Sequence, residues 1–465
     1  MNLNKKFTGN NMDKFDIFAN IGFVMLLISF ILPGGNIGNI ELWKFIDVYI
    51  LCITLIYIYK KSNINNIKGI FRKFICLLWP FRNISDKFDK YFLIYIYTYV
   101  YIIFGDGIFS FFNNNELKMI FQQSYTMLTI ALKITFIFFY LKDNRVKNEK
   151  FNVLNLLYFF MIIKVIFKIS FAFYAFSKGL EYNELMNVYN NLFGGIIMSQ
   201  PISELGFLRI DTANDVLPFY IFLFYLYDNN FSNIKKIITS IFMFIYILII
   251  YSRIFIAFYV FSLIIILFHK LIIKLKYKNI KFIINKRVAI IAMMIFILLC
   301  GSGYLLTKTS VYKEVKGLIV ERFVGDATKY SDDIRLNQKK AIMNEIENSI
   351  VIGKGIGSYA DELIRSEINK YSYELEYLAF IMQFGVIGFI LLIIGMFMFI
   401  FIILYQYINN KNKVLIIPIL LCTIFQIGKM TTNPFFDKII VLFLVSLAFL
   451  INSDRIIERK KMIFS

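Results

Sequence analysis

Long blocks of apolar residues, separated by short polar connections, constrain this sequence more than any other feature. Apolar residues make up 58% of its 465 positions, whereas a soluble domain has about 45–50%. Many blocks approach or exceed the roughly 20 residues that a helix needs to cross the hydrocarbon core of a membrane. Because lipid satisfies no backbone hydrogen bonds, such blocks must be helical. The sequence therefore predicts an all-α, polytopic integral membrane protein.

The blocks predict about twelve transmembrane helices. The predicted spans are Phe15–Leu32, Trp43–Tyr59, Tyr91–Phe111, Met119–Leu141, Phe151–Phe176, Val216–Tyr227, Ile237–Tyr251, Ile254–Phe268, Val288–Leu306, Tyr377–Tyr405, Val414–Ile427 and Lys438–Ile451. We interpret residues 1–465 as a single transmembrane domain. It contains a first outer loop at 177–215 and a large outer loop at 307–376.

Both outer loops are predicted to contain short helices. Loops of this length in a compact protein are usually functional or disordered. Residues Ser331–Ser349 place the apolar residues Leu336, Ile342, Met343 and Ile346 among charged ones, in the pattern of an amphipathic helix. Ser331, Asp332 or Asp333 is the predicted cap at its start.

The net charge of +20 indicates topology rather than nucleic-acid binding. Basic residues fall in alternate connections, such as 60–82 and 270–287, whereas Pro33–Leu42, Phe112–Leu117 and Met430–Phe436 contain no Lys or Arg. The positive-inside rule therefore places both termini in the cytoplasm. Within the first basic connection, Ile64–Arg82 is predicted either as a helix on anionic lipid or as a basic loop.

Cysteine and histidine are too sparse and scattered to predict a metal site. Cys52, Cys76, Cys300 and Cys422 lie far apart, and the single histidine, His269, lies in a basic, cytoplasmic stretch. None of these residues has the spacing of metal ligands or of a redox pair. We expect neither a metal nor a cofactor.

Arg253 and Arg209 lie where the predicted topology places few basic residues. Arg253 occupies the outer turn between two short apolar stretches, within Tyr251-Ser252-Arg253. A charge at membrane depth is costly and usually functional, although an arginine can also snorkel to the interface. Arg209 ends the first outer loop, where a local salt bridge to Asp211 or Asp215 is an equally good interpretation.

Arg335 lies on the predicted outer helix, and Lys339 follows it one turn later on the same face. A solvated helix face would explain both residues. Arginine also suits a diphosphate, because its planar fork binds two phosphate oxygens. With the other outer arginines, this pair predicts an outward-facing basic site for an amphiphile with a lipid tail and a phosphate group.

Two further segments of the large outer loop carry candidate site residues. Gly353, Gly355 and Gly357 alternate with other residues. Such glycines either bring backbone N–H groups close to an anion or form a tight turn, which we favour. Glu374 and Glu376 lie at the mouth of the tenth predicted span. They are candidate general bases, or acidic residues that interact with a helix dipole.

The order of these motifs resembles the O-antigen polymerase and ligase superfamily, the Wzy-like membrane glycosyltransferases. The resemblance lies in Tyr251-Ser252-Arg253 at a helical hairpin and in Asp333–Leu336, which a helix and the run Asn348–Gly357 follow. It also lies in Tyr373–Tyr377, which Phe384–Gly388 follows. The number of spans and the late, large outer loop match the same family.

The resemblance implies an inverting, metal-independent transfer of glycan from an undecaprenyl-diphosphate carrier. Arg253 and Arg335 match positions that would bind the donor diphosphate, and Arg209 matches less closely. Glu374 or Glu376 would be the base that activates the acceptor hydroxyl. Family ligases usually carry a histidine in the large outer loop. This sequence has none there, which favours a polymerase of O-antigen or capsular repeat units.

The expected partners are undecaprenyl-diphosphate-linked oligosaccharides and membrane lipid, with a chain-length regulator as an optional protein partner and no nucleic acid. The expected location is the bacterial cytoplasmic membrane, with the active site facing outward. Two alternatives stay open, an O-antigen ligase and a flippase or other transporter of lipid-linked oligosaccharides. A transport path needs charges across the bilayer, for which Lys133, Lys164 and Lys168 are candidates.

Overall fold

The computed structural model of the chain describes residues 14–32, 41–62, 87–147, 153–193, 201–202, 207–212, 214–227, 231–277, 326–409, 416–431 and 436–450. We number its helices in chain order. They are α1 (Lys14–Ile31), α2 (Leu42–Ser62), α3 (Lys87–Tyr101), α4 (Gly107–Phe112), α5 (Leu117–Lys147), α6 (Val153–Ser177), α7 (Tyr182–Phe193), α8 (Val216–Tyr225), α9 (Asn233–Ile250), α10 (Arg253–Tyr277), α11 (Asp326–Glu347), α12 (Glu376–Asn409), α13 (Ile416–Met430) and α14 (439–450). One π-helical turn, Ile102–Asp106, joins α3 to α4.

Apolar helices dominate this part of the chain and confirm the predicted class, a polytopic helical membrane protein. Among the described residues, six helices are long and apolar enough to cross a membrane, and three shorter apolar helices accompany them. The predicted spans in the described part are helical. Tyr91–Phe111 is divided between α3, the π-helical turn and α4, and α5 and α10 continue past the predicted ends into charged residues. The predicted span Val288–Leu306 and the inner segment Ile64–Arg82 lie outside the described residues. The count of twelve therefore stays a prediction.

Helix α8 lies at the centre of the bundle. Every residue from Val216 to Tyr225 is buried, and α6, α9 and α13 pack around it. A helix that is apolar on all sides requires neighbours on all sides. The peripheral helices instead expose large apolar side chains, such as Phe45, Phe121 and Phe173. Their outer surface is therefore suited to lipid rather than to water.

Helix α12 is broken at Gly385, which has φ 65° and ψ −178°. A segment that precedes α12 in the chain packs into the gap at this break. The N–H of Val386 donates to the carbonyl of Ile350 at 2.9 Å, and the N–H of Gly355 donates to the carbonyl of Gln383 at 2.7 Å. Backbone groups freed by a break at membrane depth require such partners. We call residues 350–357 the glycine strap.

A side chain at Gly385 has no room, which gives a test of this packing. A Cβ built there would lie 2.3 Å from the carbonyl oxygen of Val351. We expect Gly385→Ala to lower the free energy of unfolding by about 2–5 kcal/mol, because a steric clash adds to the strain of a positive φ. The measurement is thermal unfolding of the purified protein in detergent.

Gly179 provides the matched control for that substitution. It also has a positive φ, 60°, but no atom lies within 4 Å of the position that a Cβ would take. Gly179→Ala should therefore lose only the backbone term, about 1–2 kcal/mol. Equal melting temperatures for the two variants would contradict the packing of the strap against α12.

The first outer loop folds back onto the bundle. It contains α7, a short helix of the kind predicted there, and two antiparallel strands, β1 (Pro201–Ile202) and β2 (Phe207–Leu208). The N–H of Ile210 then donates to the carbonyl of Ile249 at 3.0 Å. This bond attaches the end of the loop to the end of α9.

Three lysines inside the bundle are held by protein oxygens. Lys133 Nζ lies 2.7 Å from Asp47 Oδ1. Lys168 forms an ion pair with Asp215, and Lys164 donates to two backbone carbonyls at 2.8 Å. We call Lys164, Lys168 and Asp215 the buried ion cluster. The charges that a transport path would need are thus engaged in contacts that hold helices together.

Candidate functional site

The connections predicted on the outer side meet at one end of the bundle. Asn115, between α4 and α5, donates to a carbonyl of the glycine strap at 2.8 Å. Arg209 Nε donates to the carbonyl of Ile250, at the end of α9, at 3.1 Å. Asn214 donates to two carbonyls at the end of α1, at 3.1 and 3.3 Å. We call this the site end of the bundle.

The turn between α9 and α10 places Arg253 at the first position of α10. Tyr251 has φ 49° and ψ 37°, a left-handed conformation that ends α9, and Ser252 is buried next to it. Such a conformation is uncommon outside glycine and is found at functional sites. Arg253 Nη2 lies 3.1 Å from Asp332 Oδ1. The turn thus directs a guanidinium toward α11, 79 residues further along the chain.

A cluster of ion pairs forms around that contact. Arg335 Nη1 lies 2.9 Å from the same Oδ1 of Asp332, and Arg335 Nε lies 3.0 Å from Glu374 Oε2. Arg365 Nη2 approaches the other oxygen of Glu374 at 3.5 Å. We call Arg253, Asp332, Arg335, Arg365 and Glu374 the arginine–acid cluster. Three guanidiniums face two carboxylates, so the cluster keeps a net positive charge.

Helix α11 begins at Asp326, so the predicted start and its caps at Ser331, Asp332 or Asp333 are wrong. Asp332 consequently lies inside the helix. Its carboxylate binds Arg253 and Arg335 instead of capping the backbone.

The two candidate bases have different surroundings. Glu374 is held between Arg335 and Arg365, and its N–H donates to Gln338 Oε1 at 2.9 Å. Glu376 begins α12, is only 9% exposed, and accepts the N–H of Phe436 at 2.8 Å. Glu374 therefore belongs to the arginine–acid cluster, whereas Glu376 is bonded to the segment that leads into α14.

Arg209 and Lys339 lie outside the arginine–acid cluster as we define it. Arg209 Nη2 lies 2.8 Å from Asp211 Oδ2, which is the local salt bridge that the sequence offered as one interpretation. The Nε contact of Arg209 with Ile250 still places it beside the turn that carries Arg253. Lys339 lies on α11 with an exposed side chain.

The three glycines of the glycine strap all have positive φ, 82° at Gly353, 91° at Gly355 and 80° at Gly357. Their N–H groups donate within the protein. Gly353 donates to Ser349, Gly355 to Gln383, and Gly357 to Gln123 Oε1 at 2.5 Å. The strap is a close-packed turn whose N–H groups already have partners, so it offers no cradle for an anion in this conformation.

A cavity of about 270 Å³ lies beside Glu376. Its walls include the aromatic and acidic residues Tyr371, Tyr373, Phe380, Phe436, Glu376 and Asp437, together with the polar residues Gln123, Thr126, Asn369 and Ser372. Burial raises the pKa of Tyr373 to about 12 and also raises the pKa of Tyr371. Both phenols are therefore uncharged at physiological pH. We call this space the acidic–aromatic cavity.

Some residues of the site have roles that the sequence does not predict. The sequence pattern indicates Asp332 only as a cap and does not single out Arg365. Lys429, on α13, is 3% exposed and donates to Ser252 Oγ at 3.3 Å, immediately before Arg253. A lysine at the end of an apolar span is a signal that the sequence does contain. The ion pairs of Asp332 and Arg365 depend on tertiary contacts and leave no local signal.

The fold and the site define a helical membrane protein with a cationic cluster and an adjoining acidic–aromatic cavity at one end of its bundle. Residues 238–393 match the family of O-antigen ligases. The match confirms the predicted resemblance to the O-antigen polymerase and ligase superfamily. It supports a glycan-processing function, and the matched segment contains the whole arginine–acid cluster. The chain matches no curated protein.

Proposed function

We propose that the protein is a polymerase of oligosaccharide repeat units. It transfers a glycan from undecaprenyl diphosphate to a lipid-linked repeat unit on the outer face of a bacterial cytoplasmic membrane. Within this proposal the site end of the bundle faces outward and both termini are cytoplasmic, as the distribution of basic residues predicts. Its substrates are long amphiphiles, which suits a site at the end of apolar helices.

One observation carries the proposal: Arg253 and Arg335 converge on a single oxygen of Asp332, at 3.1 and 2.9 Å. That carboxylate oxygen has the charge and hydrogen-bonding capacity of a phosphate oxygen. Two guanidiniums from distant parts of the chain therefore already have the arrangement that a bridging diphosphate oxygen requires. Asp332 is 55% exposed, so an incoming diphosphate can reach and replace it.

The proposed step is a direct displacement at the anomeric carbon of the donor sugar. The oxygen of an acceptor hydroxyl forms a bond to that carbon, and the bond from the carbon to the diphosphate oxygen breaks. The hydroxyl proton passes to a carboxylate, and the electron pair leaves with the lipid diphosphate. Arg253 and Arg335 neutralise the charge that develops on the leaving group, which is usually the largest catalytic contribution. One displacement inverts the anomeric configuration and, with two guanidiniums, requires no metal ion.

Glu376 is the better candidate for the base. It lines the acidic–aromatic cavity, where an acceptor hydroxyl can approach it. Its carboxylate accepts the Phe436 N–H through Oε2, which fixes the position of the group beside that cavity. Glu374 is occupied by two guanidiniums. We assign Glu374 to positioning Arg335 rather than to proton transfer.

An O-antigen ligase is the second candidate, because the matched family carries that description. The resemblance associates ligases with a histidine in the large outer loop. The single histidine here, His269, instead lies 3.3 Å from the hydroxyl of Tyr227. Next to it, Lys270 donates to the carbonyl of Leu226 at the end of α8, which is the end of the bundle away from Arg253. This arrangement favours the polymerase.

Glycan length on cells that lack the gene tests the proposal. The cells are complemented with wild type, Arg253→Gln or Lys178→Gln, with equal membrane levels checked by blot. Lys178 is an exposed lysine just after α6 and serves as the matched control. Wild type and Lys178→Gln should restore long chains. Arg253→Gln should leave single repeat units, with long chains reduced about 100-fold or more.

The lipid-linked saccharides extracted from the same cells separate the alternatives. A ligase predicts that cells without the gene accumulate full-length polymer on the lipid carrier. A transporter predicts that the repeat unit stays on the cytoplasmic leaflet. Either result would overturn the polymerase, and single units on the outer leaflet would support it.

A further inference from the structure

The chemistry of the acidic–aromatic cavity differs from that of the arginine–acid cluster. None of the described residues that line the cavity is Lys or Arg. Its two carboxylates are Glu376 and Asp437, of which Asp437 pairs with Lys438 at 2.5 Å. Ionised carboxylates only accept hydrogen bonds. The lining thus adds acidic acceptors to the amides and hydroxyls of Gln123, Asn369, Thr126 and Ser372, which suits a ligand with several hydroxyls and disfavours one with a carboxylate.

The residues that line the cavity also favour a ligand of a particular shape. Tyr371, Tyr373, Phe380 and Phe436 give the cavity flat apolar surfaces, with polar groups such as Asn369 at its edge. Tyr373 is 1% exposed and its hydroxyl accepts the N–H of Ala360 at 2.7 Å, so it fixes the wall behind the more exposed Tyr371. A pocket with aromatic walls and a few polar groups suits a compact ligand with one apolar face and several hydroxyls. A volume of about 270 Å³ is enough for roughly one sugar ring.

The cavity and the arginine–acid cluster share one short segment of chain. Tyr373 and Glu376 line the cavity, whereas Glu374, between them, binds Arg335 and Arg365. The segment therefore separates a compartment for an anion from a compartment for a polyol. A reaction between a lipid diphosphate and a sugar hydroxyl requires these two compartments side by side.

We infer that the acidic–aromatic cavity binds the terminal sugar ring of the acceptor glycan, and that this sugar is uncharged. The inference rests on the proposed function, because it names the second substrate of the same reaction. Glu376 accepts the attacking hydroxyl, and the ring of Tyr371 holds the apolar face of the sugar. A uronic or sialic acid at the terminal position would place its carboxylate against Glu376 and Asp437, which disfavours such sugars.

Binding of a glycan without a lipid or a diphosphate tests the inference. The probe is the repeat oligosaccharide released by mild acid from the lipid extract of cells that lack the gene. Saturation-transfer NMR and calorimetry then measure its affinity for the purified protein in detergent. Tyr371→Ala should weaken binding about tenfold, because a stacked ring contributes about 1.4 kcal/mol. Asn369→Ala, at an exposed position, should weaken it about threefold without risk to the fold.

Two further variants are controls that should bind the probe as wild type does. Arg335→Gln should bind the free oligosaccharide as wild type does, because the probe carries no diphosphate. Tyr174→Ala removes a tyrosine that is 46% exposed and is not among the residues that line the cavity, and it should also bind normally. Loss of binding in Arg335→Gln with normal binding in Tyr371→Ala and Asn369→Ala would overturn the inference.

The structure of the probe is a second criterion. A carboxylated sugar at its non-reducing end would overturn the inference, and a neutral sugar would support it. If wild type does not bind the probe while cells still need the gene for long chains, the cavity assignment fails and the polymerase stands. If chain length is also independent of the gene, the proposed function fails.

Discussion

Replacing Arg335 by glutamine is expected to lower the rate of glycan transfer about 10²–10³-fold. Arg335 contacts Asp332 and Glu374 at 2.9 and 3.0 Å, and in the proposed mechanism it neutralises the leaving diphosphate. Loss of one preorganised group that stabilises developing charge costs about that factor in rate. The measurement is transfer between lipid-linked repeat units by the purified enzyme in detergent, under conditions where every enzyme molecule is folded.

Asp332→Asn is the informative companion variant, because it should act in the opposite direction on binding. Asp332 occupies the position assigned to a phosphate oxygen, so its removal frees Arg253 and Arg335. The variant should bind undecaprenyl diphosphate several-fold more tightly than wild type, while Arg335→Gln binds it more weakly. Arg335→Lys should recover little activity, since an ammonium cannot make the bidentate contact. Equal binding by Asp332→Asn and wild type would remove the argument that Asp332 stands where the diphosphate binds.

Replacing Asp215 by asparagine is expected to destabilise the protein by about 3–5 kcal/mol. Asp215 is 1% exposed, pairs with Lys168 and lies 4.0 Å from Lys164. Removing one partner of a buried ion pair leaves charge without compensation, which accounts for the magnitude. The measurements are the membrane level of the variant and its melting temperature in detergent. Arg209 lies on the loop that Lys168 and Asp215 hold, so activity should fall as well.

Two variants calibrate that result. Tyr246→Phe removes a single hydrogen bond, of 2.8 Å, to Asp215 and should cost about 1 kcal/mol. Adding Lys168→Met to Asp215→Asn should restore part of the lost stability, because one of the two lysines left without the carboxylate is removed. A melting temperature for Asp215→Asn close to that of Tyr246→Phe would show that the buried ion cluster contributes little.

The helices were predictable because each is specified locally. An apolar block near 20 residues long encodes its own structure in lipid, and α1, α2, α6 and α12 follow their blocks closely. The break at Gly385 was not predictable, because it depends on hydrogen bonds to the glycine strap about 30 residues earlier. The predicted start of α11 is too late for a related reason, since a polar segment carries no apolar pattern before Ile334.

The arginines of the site were predictable from the sequence, whereas the residues that they contact were not. Arg253 stood out because a charge next to an apolar block is costly, and Arg335 because it lies with Lys339 on one face of the predicted outer helix and arginine suits a diphosphate. That both contact Asp332 depends on the packing of α10 against the large outer loop. The acidic–aromatic cavity unites α5, the segment before α12 and the segment before α14, so no stretch of sequence reveals it. Glu374 and Glu376 are two positions apart, yet Glu374 lies in the arginine–acid cluster and Glu376 lines the acidic–aromatic cavity. This difference likewise depends on tertiary structure.

The order of synthesis favours the broken helix. The glycine strap leaves the ribosome before Met382, Gln383 and Val386, the residues whose backbone groups it pairs with. When α12 enters the membrane, its partners for the interrupted turn have therefore already been made. The backbone groups at the break can therefore form their hydrogen bonds as soon as α12 is inserted. They are not exposed to lipid while a later segment is translated. A circular permutation that moves the strap behind α12 should for this reason insert poorly, even though every contact in the finished protein would be the same.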